Sequence, residues 1–272
     1  SIHTPMLETA LVALLARIAG VKVVATHHGD LVLPPKVFNR FITGAMFSMY
    51  QFMARQAARL IGYSHDYADH SYYLRPFRDK VSVIYPPITM PEPRWDRVQA
   101  LRAEWGRNGG PIIGYSGRFV QEKRPDLAIK ALEVVNQHYP DARLVFAGEY
   151  DIAYEDTWEH YQPIVQQHRD QLHFLGLIYD QQEVADFYAA CDVLVLPSDT
   201  ECFALVQVEA MLCGTPVVMT DTPGGRVPVT VTQMGKLAER GSWQSIGQAL
   251  VDVLADPESY IHPREVIEEQ FS

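Results

Sequence analysis

The stretch Asp199-Thr-Glu-Cys-Phe-Ala-Leu-Val-Gln-Val-Glu-Ala-Met-Leu-Cys-Gly-Thr-Pro-Val-Val218 decides how the second half of the chain folds. Apolar runs at 193–197 and 215–219 indicate buried parallel strands, and the residues between them indicate a helix. Glu201 then lies at the carboxyl end of a strand, and Glu209 lies inside the helix. Ligands of open α/β sheets bind at this edge. Two carboxylates that can accept bonds from diols, beside a helix N-terminus that attracts anions, outline a site for a sugar nucleotide.

Helical and strand patterns alternate along most of the chain, which is typical of an α/β protein with parallel, doubly wound sheets. Four prolines within residues 85–93 exclude a helix or a central strand there and predict a linker. We therefore expect one domain at 1–92 and a second at 93–272. Strands are predicted at 21–26, 60–64, 81–85, 112–116, 143–147, 172–174, 193–196 and 215–219, and helices at 5–19, 37–58, 124–138, 154–168, 181–190, 204–212 and 244–254.

The second domain has the pattern of a complete Rossmann-like domain, whereas the first does not. Residues 1–92 begin on an apolar helix with no strand before it and supply about three strands, where such a domain typically uses six. The sequence thus predicts an incomplete first domain and a chain truncated at its N-terminus.

Composition excludes several classes of protein. The chain has 272 residues with 23 Lys and Arg against 33 Asp and Glu, a net charge of −10, which argues against a sequence-independent nucleic-acid binder. Its three cysteines lack metal-ligand spacing, and their odd number favours a reducing cytosol. No apolar run reaches the roughly 18 residues that a membrane span needs.

A glycine and two cations follow the predicted strand at 112–116. Gly117, Arg118 and Lys123 suit a diphosphate, because Arg can grip two phosphate oxygens and Lys adds a mobile point charge. A solvated basic turn is the alternative, since the spacing matches no P-loop or dinucleotide fingerprint. For Glu209, the alternative to a ligand-binding role is that it is an ordinary carboxylate on a helix surface. Its apolar neighbours, however, indicate that the helix is buried.

Histidines lie where a first-domain ligand would bind. His3 precedes a helix, and His27 and His28 end a predicted strand before Asp30, on the ligand side of such a sheet. A zinc site is conceivable, but no carboxylate or cysteine stands at metal-ligand spacing. The alternative is that each histidine is a loop residue or a hydrogen-bonded core residue.

The helix predicted at 37–58 has an apolar stripe at helical spacing. Core packing is the usual cause of such a stripe. A membrane-facing or lipid-acceptor groove is the alternative, since two arginines lie nearby. The stripe consists of Phe38, Phe41, Ile42, Ala45, Met49, Phe52 and Met53.

Taken together, these residues resemble the retaining family-4 (group 1) glycosyltransferases of the GT-B fold. The resemblance covers essentially the whole chain and rests on motifs in a fixed order. They are Gly117-Arg118 with Glu122-Lys123, Phe174-Leu-Gly176, the pair Glu201 and Glu209 with Glu-Ala-Met, and Gly214-Thr-Pro-Val-Val218. The segment Ile2-His3-Thr-Pro5 and the segment Thr26-His-His-Gly-Asp30 match the family's first domain.

The resemblance implies a set of donor contacts. Arg118 and Lys123 would bind the diphosphate, and Glu201 would bind hydroxyls of the donor sugar. Glu209 would hold the ribose, and His3 would lie near the reacting centre, so that His3, Arg118, Lys123 and Glu201 form the catalytic set. The donor contacts are Gly117, Arg118, Lys123, Leu177, Ile178, Glu201, Cys202, Phe203, Ala204, Leu205 and Glu209, and the acceptor-side candidates are His27, His28 and Asp30.

The expected function is retaining transfer of a sugar from a UDP- or GDP-sugar to an acceptor hydroxyl, with no cofactor and no obligatory metal. The acceptor is a carbohydrate, a lipid-linked molecule or a small molecule, and the location is the cytoplasm, with peripheral contact at the inner face of the membrane left open. Two departures from the family bear on activity. Ala204 stands where Gly is usual, and the family's N-terminal glycine-rich loop and the end of its C-terminal crossing helix are absent. A non-catalytic nucleotide-sugar-binding fragment and a sugar-nucleotide epimerase of the same fold are the alternatives.

Overall fold

The computed structural model describes residues 1–31, 37–152 and 157–271, and these residues form two compact units. The first unit contains Ser1–Pro86 with Glu201–Phe203, and the second contains Pro87–Thr200 with Ala204–Ser272. The chain passes from one to the other between Pro86 and Pro87, inside the proline-rich segment. Each unit is built on a parallel sheet, so the predicted α/β class is confirmed.

The first unit has a four-stranded parallel sheet within the described residues, in the order β1-β2-β3-β4. Ala25 in the second strand pairs with Ile2 on one side and Leu60 on the other. The strands are β1 Ile2–Thr4, β2 Val24–His27, β3 Arg59–Gly62 and β4 Val81–Val83, and the helices are α1 Thr9–Ile18, α2 Val37–Gln56 and α3 His65–His70, with a 3-10 helix at Arg75–Lys80.

One prediction for this unit is wrong. The sequence predicts a helix first and about three strands, but β1 precedes α1 and pairs with β2 in parallel register. Three residues are too few to show the alternation of apolar and polar side chains that marks a strand. Ile2-His3-Thr4 therefore gives no signal that distinguishes it from a loop.

The apolar stripe of α2 is only partly buried in this unit. Met53 is fully buried, but Phe38 and Phe41 are 73% and 74% exposed. Core packing is therefore confirmed for Met53 and wrong for the two phenylalanines. Leu11 and Ile18 of α1 are exposed as well, so both helices present apolar side chains to solvent.

The second unit has a six-stranded parallel sheet within the described residues, in the order β10-β9-β8-β5-β6-β7. The strands are β5 Ile112–Ser116, β6 Arg143–Ala147, β7 Leu172–Gly176, β8 Val193–Leu196, β9 Val217–Thr220 and β10 Gly235–Ala238. The helices are α4 Trp95–Trp105, α5 Pro125–Val135, α6 Thr157–Gln167, α7 Gln181–Ala190, α8 Leu205–Leu212, α9 Val227–Thr232, α10 Trp243–Ala255 and α11 Arg264–Phe271. Short 3-10 helices lie at Gln121–Lys123, Arg169–Gln171 and Pro257–Tyr260.

This strand order has a topological switch point. From β5 the chain proceeds outward through β6 and β7, then returns to the other side of β5 as β8 and proceeds outward through β9 and β10. Ile113 pairs with Val193 where the two halves meet. In doubly wound sheets, ligands bind at the carboxyl ends of the strands at this point. The loops that follow β5 and β8 are therefore the first place to look for a site.

The core of the second unit explains why its strands are easy to predict from the sequence. Alternate residues of the central strands, such as Tyr115, Phe146 and Val195, join α5, α6 and α10 in one buried cluster. The opposite side is closely packed too, since a Cβ on Gly114 would lie 2.7 Å from the Cys191 sulfur. Strands buried on both faces are continuous apolar runs. Each of the three cysteines is a free thiol.

Several predicted elements of this unit are confirmed to the residue, namely the strands at 112–116, 143–147 and 193–196 and the helix at 181–190. No range is predicted from the sequence for α4, α9, β10 or the C-terminal helix α11, and the first residues of the helix predicted at 154–168 lie outside the described residues. Within the described residues, no helix is long and apolar enough to cross a bilayer.

Candidate functional site

A basic turn follows β5 at the switch point. We call residues 117–123 the cation loop, because they carry Arg118 and Lys123 after Gly117. Lys123 ends a 3-10 helix, Gln121–Lys123, and an Arg118 guanidinium nitrogen lies 3.8 Å from a Glu122 carboxylate oxygen. Both side chains of that ion pair are substantially exposed. Arg118 is thus accessible, and Lys123 is half-buried, at the edge where ligands of such sheets bind.

The backbone beside the cation loop is tightly joined to its neighbours. The N–H of Gly117 donates to the carbonyl of Ala147 at 2.9 Å, and the N–H of Gly148 donates to the carbonyl of Gly176 at 2.8 Å. A Cβ on Gly148 would lie 2.2 Å from the carbonyl oxygen of Gly117. Only glycine fits at Gly148, a requirement that the sequence analysis misses because no turn motif marks it.

An arginine at the end of the cation loop connects it to the loop after β8. The Arg124 guanidinium binds both carboxylate oxygens of Asp126, each at 3.0 Å, and reaches a carboxylate oxygen of Asp199 at 3.3 Å. The N–H of Asp199 donates to the carbonyl of Glu122 at 2.8 Å. These carboxylates hold the pKa of Arg124 above its ordinary value, with the Asp126 hydrogen bonds as the main cause.

The helix α8 begins without a side-chain cap. Its N-cap residue is Ala204, whose left-handed backbone (φ 57°, ψ 74°) is a conformation that Gly adopts at lower cost. Ala has no side-chain acceptor for the first N–H groups of a helix, which otherwise attract anions. Leu205, the first helical residue, is exposed. The start of α8 therefore offers backbone donors at the switch point.

Glu209 lies in the second turn of α8, and its carboxylate has a hydrogen-bond partner. The Tyr188 hydroxyl donates to a Glu209 carboxylate oxygen at 2.9 Å and lies 3.0 Å from the Ser116 hydroxyl. Burial raises the pKa of Glu209, although the bond from Tyr188 opposes the shift. Burial also raises the pKa of Tyr188 well above its ordinary value. Tyr188 is a residue that sequence reasoning misses, since nothing in its spacing relates it to Glu209.

Two of the predicted donor contacts follow β7. Leu177 is exposed and Ile178 is half-buried, directly after Gly176, which ends the strand with φ 73°. The second unit thus brings most of the predicted donor residues to the carboxyl edge of one sheet. They are Gly117, Arg118, Lys123, Leu177, Ile178, Ala204 and Leu205, with Glu209 further along α8.

A chain of hydrogen bonds links β1 of the first unit to the residues that directly follow β2 and β3. The Nδ1 atom of His3 lies 2.7 Å from Nε2 of His28, and Nδ1 of His28 lies 2.5 Å from the Tyr63 hydroxyl. His3 is exposed. Burial, followed by the neighbouring His3 and His27, lowers the pKa of His28. Tyr63 is a further residue that the sequence analysis does not identify.

His27 and Asp30 belong to a buried network in the same unit. His27 is 1% exposed, and its two ring nitrogens bond Thr4 at 2.9 Å and Asp30 at 2.9 Å. Asp30 also accepts the Ser71 hydroxyl and the Tyr72 N–H. The structure therefore favours the alternative of a hydrogen-bonded core residue for His27. Among the described residues, no three His, Cys, Asp or Glu side chains group as metal ligands.

The residues just before α8 have most of their contacts with the first unit. Glu201, Cys202 and Phe203 group with it, and the ring of Phe203 lies 5.4 Å from that of Tyr85 and 6.5 Å from that of Tyr63. The predicted donor set is thus divided at Ala204. The half in the second unit is assembled at one edge of its sheet, and His3 and Glu201 belong to the first unit.

The sequence of this chain is similar to one known family and to characterised relatives. The family described as "Glycosyl transferases group 1" matches residues 98–270. A GDP-mannose-dependent monoacylated alpha-(1-6)-phosphatidylinositol monomannoside mannosyltransferase of Corynebacterium glutamicum is 33% identical over 54% of this chain and 39% of its own length. A D-inositol 3-phosphate glycosyltransferase of Segniliparus rotundus is 25% identical over 89% of this chain and 52% of its own length. The chain therefore spans about half the length, or less, of these relatives.

Solved structures share the fold. The Anabaena protein HepE in complex with UDP and glucose matches with a TM-score of 0.82 at 20% identity, over all of this chain and 73% of its own. A sucrose-phosphate synthase of Thermosynechococcus elongatus matches with a TM-score of 0.77 at 24% identity, over all of this chain and 69% of its own. The α/β fold with two parallel sheets is that of GT-B glycosyltransferases.

Proposed function

The chain belongs to the group 1 glycosyl transferases, and from this premise we propose that it transfers a sugar from a UDP- or GDP-sugar to an acceptor hydroxyl, as a family-4 enzyme that retains the anomeric configuration and needs no metal. One observation carries the proposal. The exposed Arg118, the half-buried Lys123 and a helix start without a side-chain cap lie at the switch point of a doubly wound sheet. Positive charge and the N–H groups of a helix start suit a diphosphate at this place.

The donor is bound from its two ends. Arg118, Lys123 and the N–H groups of Phe203, Ala204 and Leu205 hold the diphosphate and the sugar next to it. Glu209 accepts hydrogen bonds from the ribose hydroxyls, since Tyr188 fixes the orientation of its carboxylate. Charge-assisted bonds of this kind are about twice as strong as neutral ones.

The base and the donor sugar are held by the remaining donor contacts. Leu177 and Ile178 flank the base, Glu201 binds hydroxyls of the donor sugar, and His3 lies near its anomeric carbon. Cys202 and Gly117 contribute backbone close to the donor. Recognition of the sugar thus depends on residues grouped with the first unit, while recognition of the nucleotide depends on the second.

The chemistry follows from where charge develops. The bond between the anomeric carbon and the β-phosphate oxygen breaks, and the acceptor oxygen bonds to that carbon on the same face. Arg118, Lys123 and the start of α8 stabilise the negative charge that grows on the leaving diphosphate. A phosphate oxygen takes the proton of the acceptor hydroxyl, so neither glutamate acts as a nucleophile.

Calorimetric titration tests the donor proposal. We expect one of UDP, GDP or ADP, and its sugar conjugate, to bind with unchanged affinity in EDTA. Glu201→Ala should weaken the sugar conjugate and leave the free nucleotide nearly unaffected, because only the conjugate carries the sugar. A folded sample that binds none of these ligands contradicts the proposal. Anomeric analysis of the product by NMR tests retention.

The acceptor is proposed to be a carbohydrate, a lipid-linked molecule or a small hydroxyl compound, met in the cytoplasm. A lipid-linked acceptor has support in the first unit, where residues 1–60 hold six Lys and Arg against two Asp and Glu. The exposed apolar side chains of α1 and α2 lie in the same segment. Cosedimentation with phosphatidylglycerol vesicles, compared with phosphatidylcholine vesicles, tests peripheral contact. Equal recovery in the supernatant with both contradicts it.

A nucleotide-sugar-binding protein without catalysis is the second candidate. The observation that favours it is that the chain spans about half the length of its relatives, while most donor contacts lie in the second unit. Donor binding without transfer or hydrolysis supports this candidate. Turnover by the 272-residue chain excludes it.

A further inference from the structure

We propose that Arg124 and Asp199 are a positioning pair that fixes the cation loop relative to the start of α8. The inference rests on the proposed donor-binding role of this edge and adds a determinant of diphosphate affinity that need not touch the ligand. The pair joins the two segments that follow β5 and β8, the strands on either side of the switch point.

The contacts of Arg124 suit a connecting role. Its guanidinium binds Asp126 in the first turn of α5 with two parallel bonds, and its third nitrogen reaches Asp199. A planar, rigid donor group can span two carboxylates in this way, whereas a lysine ammonium cannot reproduce the geometry. Arg124 is mostly buried and Asp126 almost fully so. The anchor in α5 is therefore firm, and Asp199 is the outer end of the connection.

The backbone at Arg124 is in a costly conformation. Its φ of 50° and ψ of 51° are left-handed, a region that glycine adopts at lower cost. Residues held in such conformations cluster at functional sites, where the surrounding structure determines them. An arginine here is explained by what its side chain reaches, since glycine would satisfy the turn better.

Asp199 is held from more than one side. Its N–H donates to the carbonyl of Glu122 inside the cation loop, and its other carboxylate oxygen lies 3.4 Å from Arg240, which follows β10. Five residues further along the chain, Ala204 begins α8. Loss of the Asp199 charge would leave only the backbone hydrogen bond between the cation loop and the segment that leads into α8, and would weaken the connection between them. A diphosphate that binds both would lose affinity.

The ordinary alternative is an ion pair that contributes a little stability and nothing else, as many exposed pairs do. A matched control distinguishes a positioning pair from an ion pair that affects stability alone. Asp252 forms an ion pair with Lys236 and is 35% exposed against 30% for Asp199, but it lies in α10. Asp199→Asn and Asp252→Asn remove the same charge from similar environments.

The experiment is calorimetric titration of the 272-residue chain with UDP, GDP and ADP. For the nucleotide that binds most tightly, we expect Asp199→Asn to raise Kd about tenfold, within the range of coupled charged contacts, and Asp252→Asn to leave it unchanged. Asp199→Glu should restore most of the affinity. Arg124→Lys keeps a charge beside Asp126 and should weaken binding as Asp199→Asn does.

A double-mutant cycle distinguishes positioning from general destabilisation. If Asp199 acts through the cation loop, its effect should shrink to about twofold or less in an Arg118→Ala background. Equal losses in both backgrounds, or an Asp199→Asn protein that binds like the wild type, overturn the inference and leave the proposed function standing. A wild-type chain that binds none of the nucleotides overturns both.

Discussion

The two units use the same kind of parallel sheet but differ in how far their large apolar side chains are buried. In the second unit, Phe146 lies between the rings of Tyr115 and Phe174 and is 2% exposed. In the first, Phe38 has the same side chain and is 73% exposed. The second unit is therefore stabilised by its own core, whereas part of the apolar surface of the first contributes little to its folding.

The largest expected effect tests this difference directly. Phe146→Ala should lower the free energy of unfolding by about 3–5 kcal/mol, the usual cost of removing a buried aromatic ring. Phe38→Ala should change it by less than about 0.5 kcal/mol, because exposed substitutions rarely do more. Urea denaturation of both variants gives the comparison. A loss above about 1 kcal/mol for Phe38→Ala would mean that the exposed face of α2 is covered in solution, and sedimentation velocity would then identify self-association.

The second expected effect concerns two quantities, nucleotide affinity and turnover. A substitution in the second unit should change the first quantity, and a substitution in the first unit should change the second. Arg118→Ala should weaken nucleoside diphosphate binding by about 1.5–3 kcal/mol, the range for hydrogen bonds to charged groups. His3→Ala in the first unit should lower turnover and leave this affinity nearly unchanged. Calorimetry and a transfer assay give the two quantities. Arg107→Ala removes an exposed arginine paired with Asp141 and is the charge-matched control.

A smaller effect is expected within α8 of the second unit. Ala204→Gly should raise the free energy of unfolding by roughly 1 kcal/mol, because a left-handed backbone costs about that much for a residue with a Cβ. Ala210→Gly, six residues on in the same helix, should lower it by about 1 kcal/mol or more. Thermal or urea unfolding checks the opposite signs. Destabilisation of both variants would contradict the expected cost of a left-handed backbone at Ala204.

The smallest effect concerns pH. Since burial raises the folded-state pKa of Glu209 above 4.5, the folded protein binds more protons than the unfolded chain at pH just above 4.5. Glu209 therefore contributes less and less stability as the pH rises through that window. Glu209→Gln lacks this contribution, so its stability relative to wild type should increase from pH 4.5 upward and then level off. A constant difference across the window would show that Glu209 is not perturbed.

The sequence predicts the second unit better than the first. Strands buried on both faces, such as β8, are continuous apolar runs, and the turn carrying Arg118 and Lys123 is found because it directly follows a strand of this kind. The three-residue β1 shows no period, and Phe38 and Phe41 give the same pattern whether a stripe is packed or exposed. The connection of Tyr188 to Glu209 and of Arg124 to Asp199 depends on long-range packing, which no local spacing encodes.

The pairing of β5 with β8 has a consequence for how the protein is made. Ile113 and Val193 meet across a loop of about 80 residues, and such non-local contacts form slowly because loop closure comes before any stabilising contact. During synthesis, β5, β6 and β7 leave the ribosome with the cation loop already attached, but the switch point is empty until β8 and α8 follow. On the proposed donor-binding role, the nucleotide site is complete only after this late step, and a bound nucleotide would then stabilise the whole sheet by mass action.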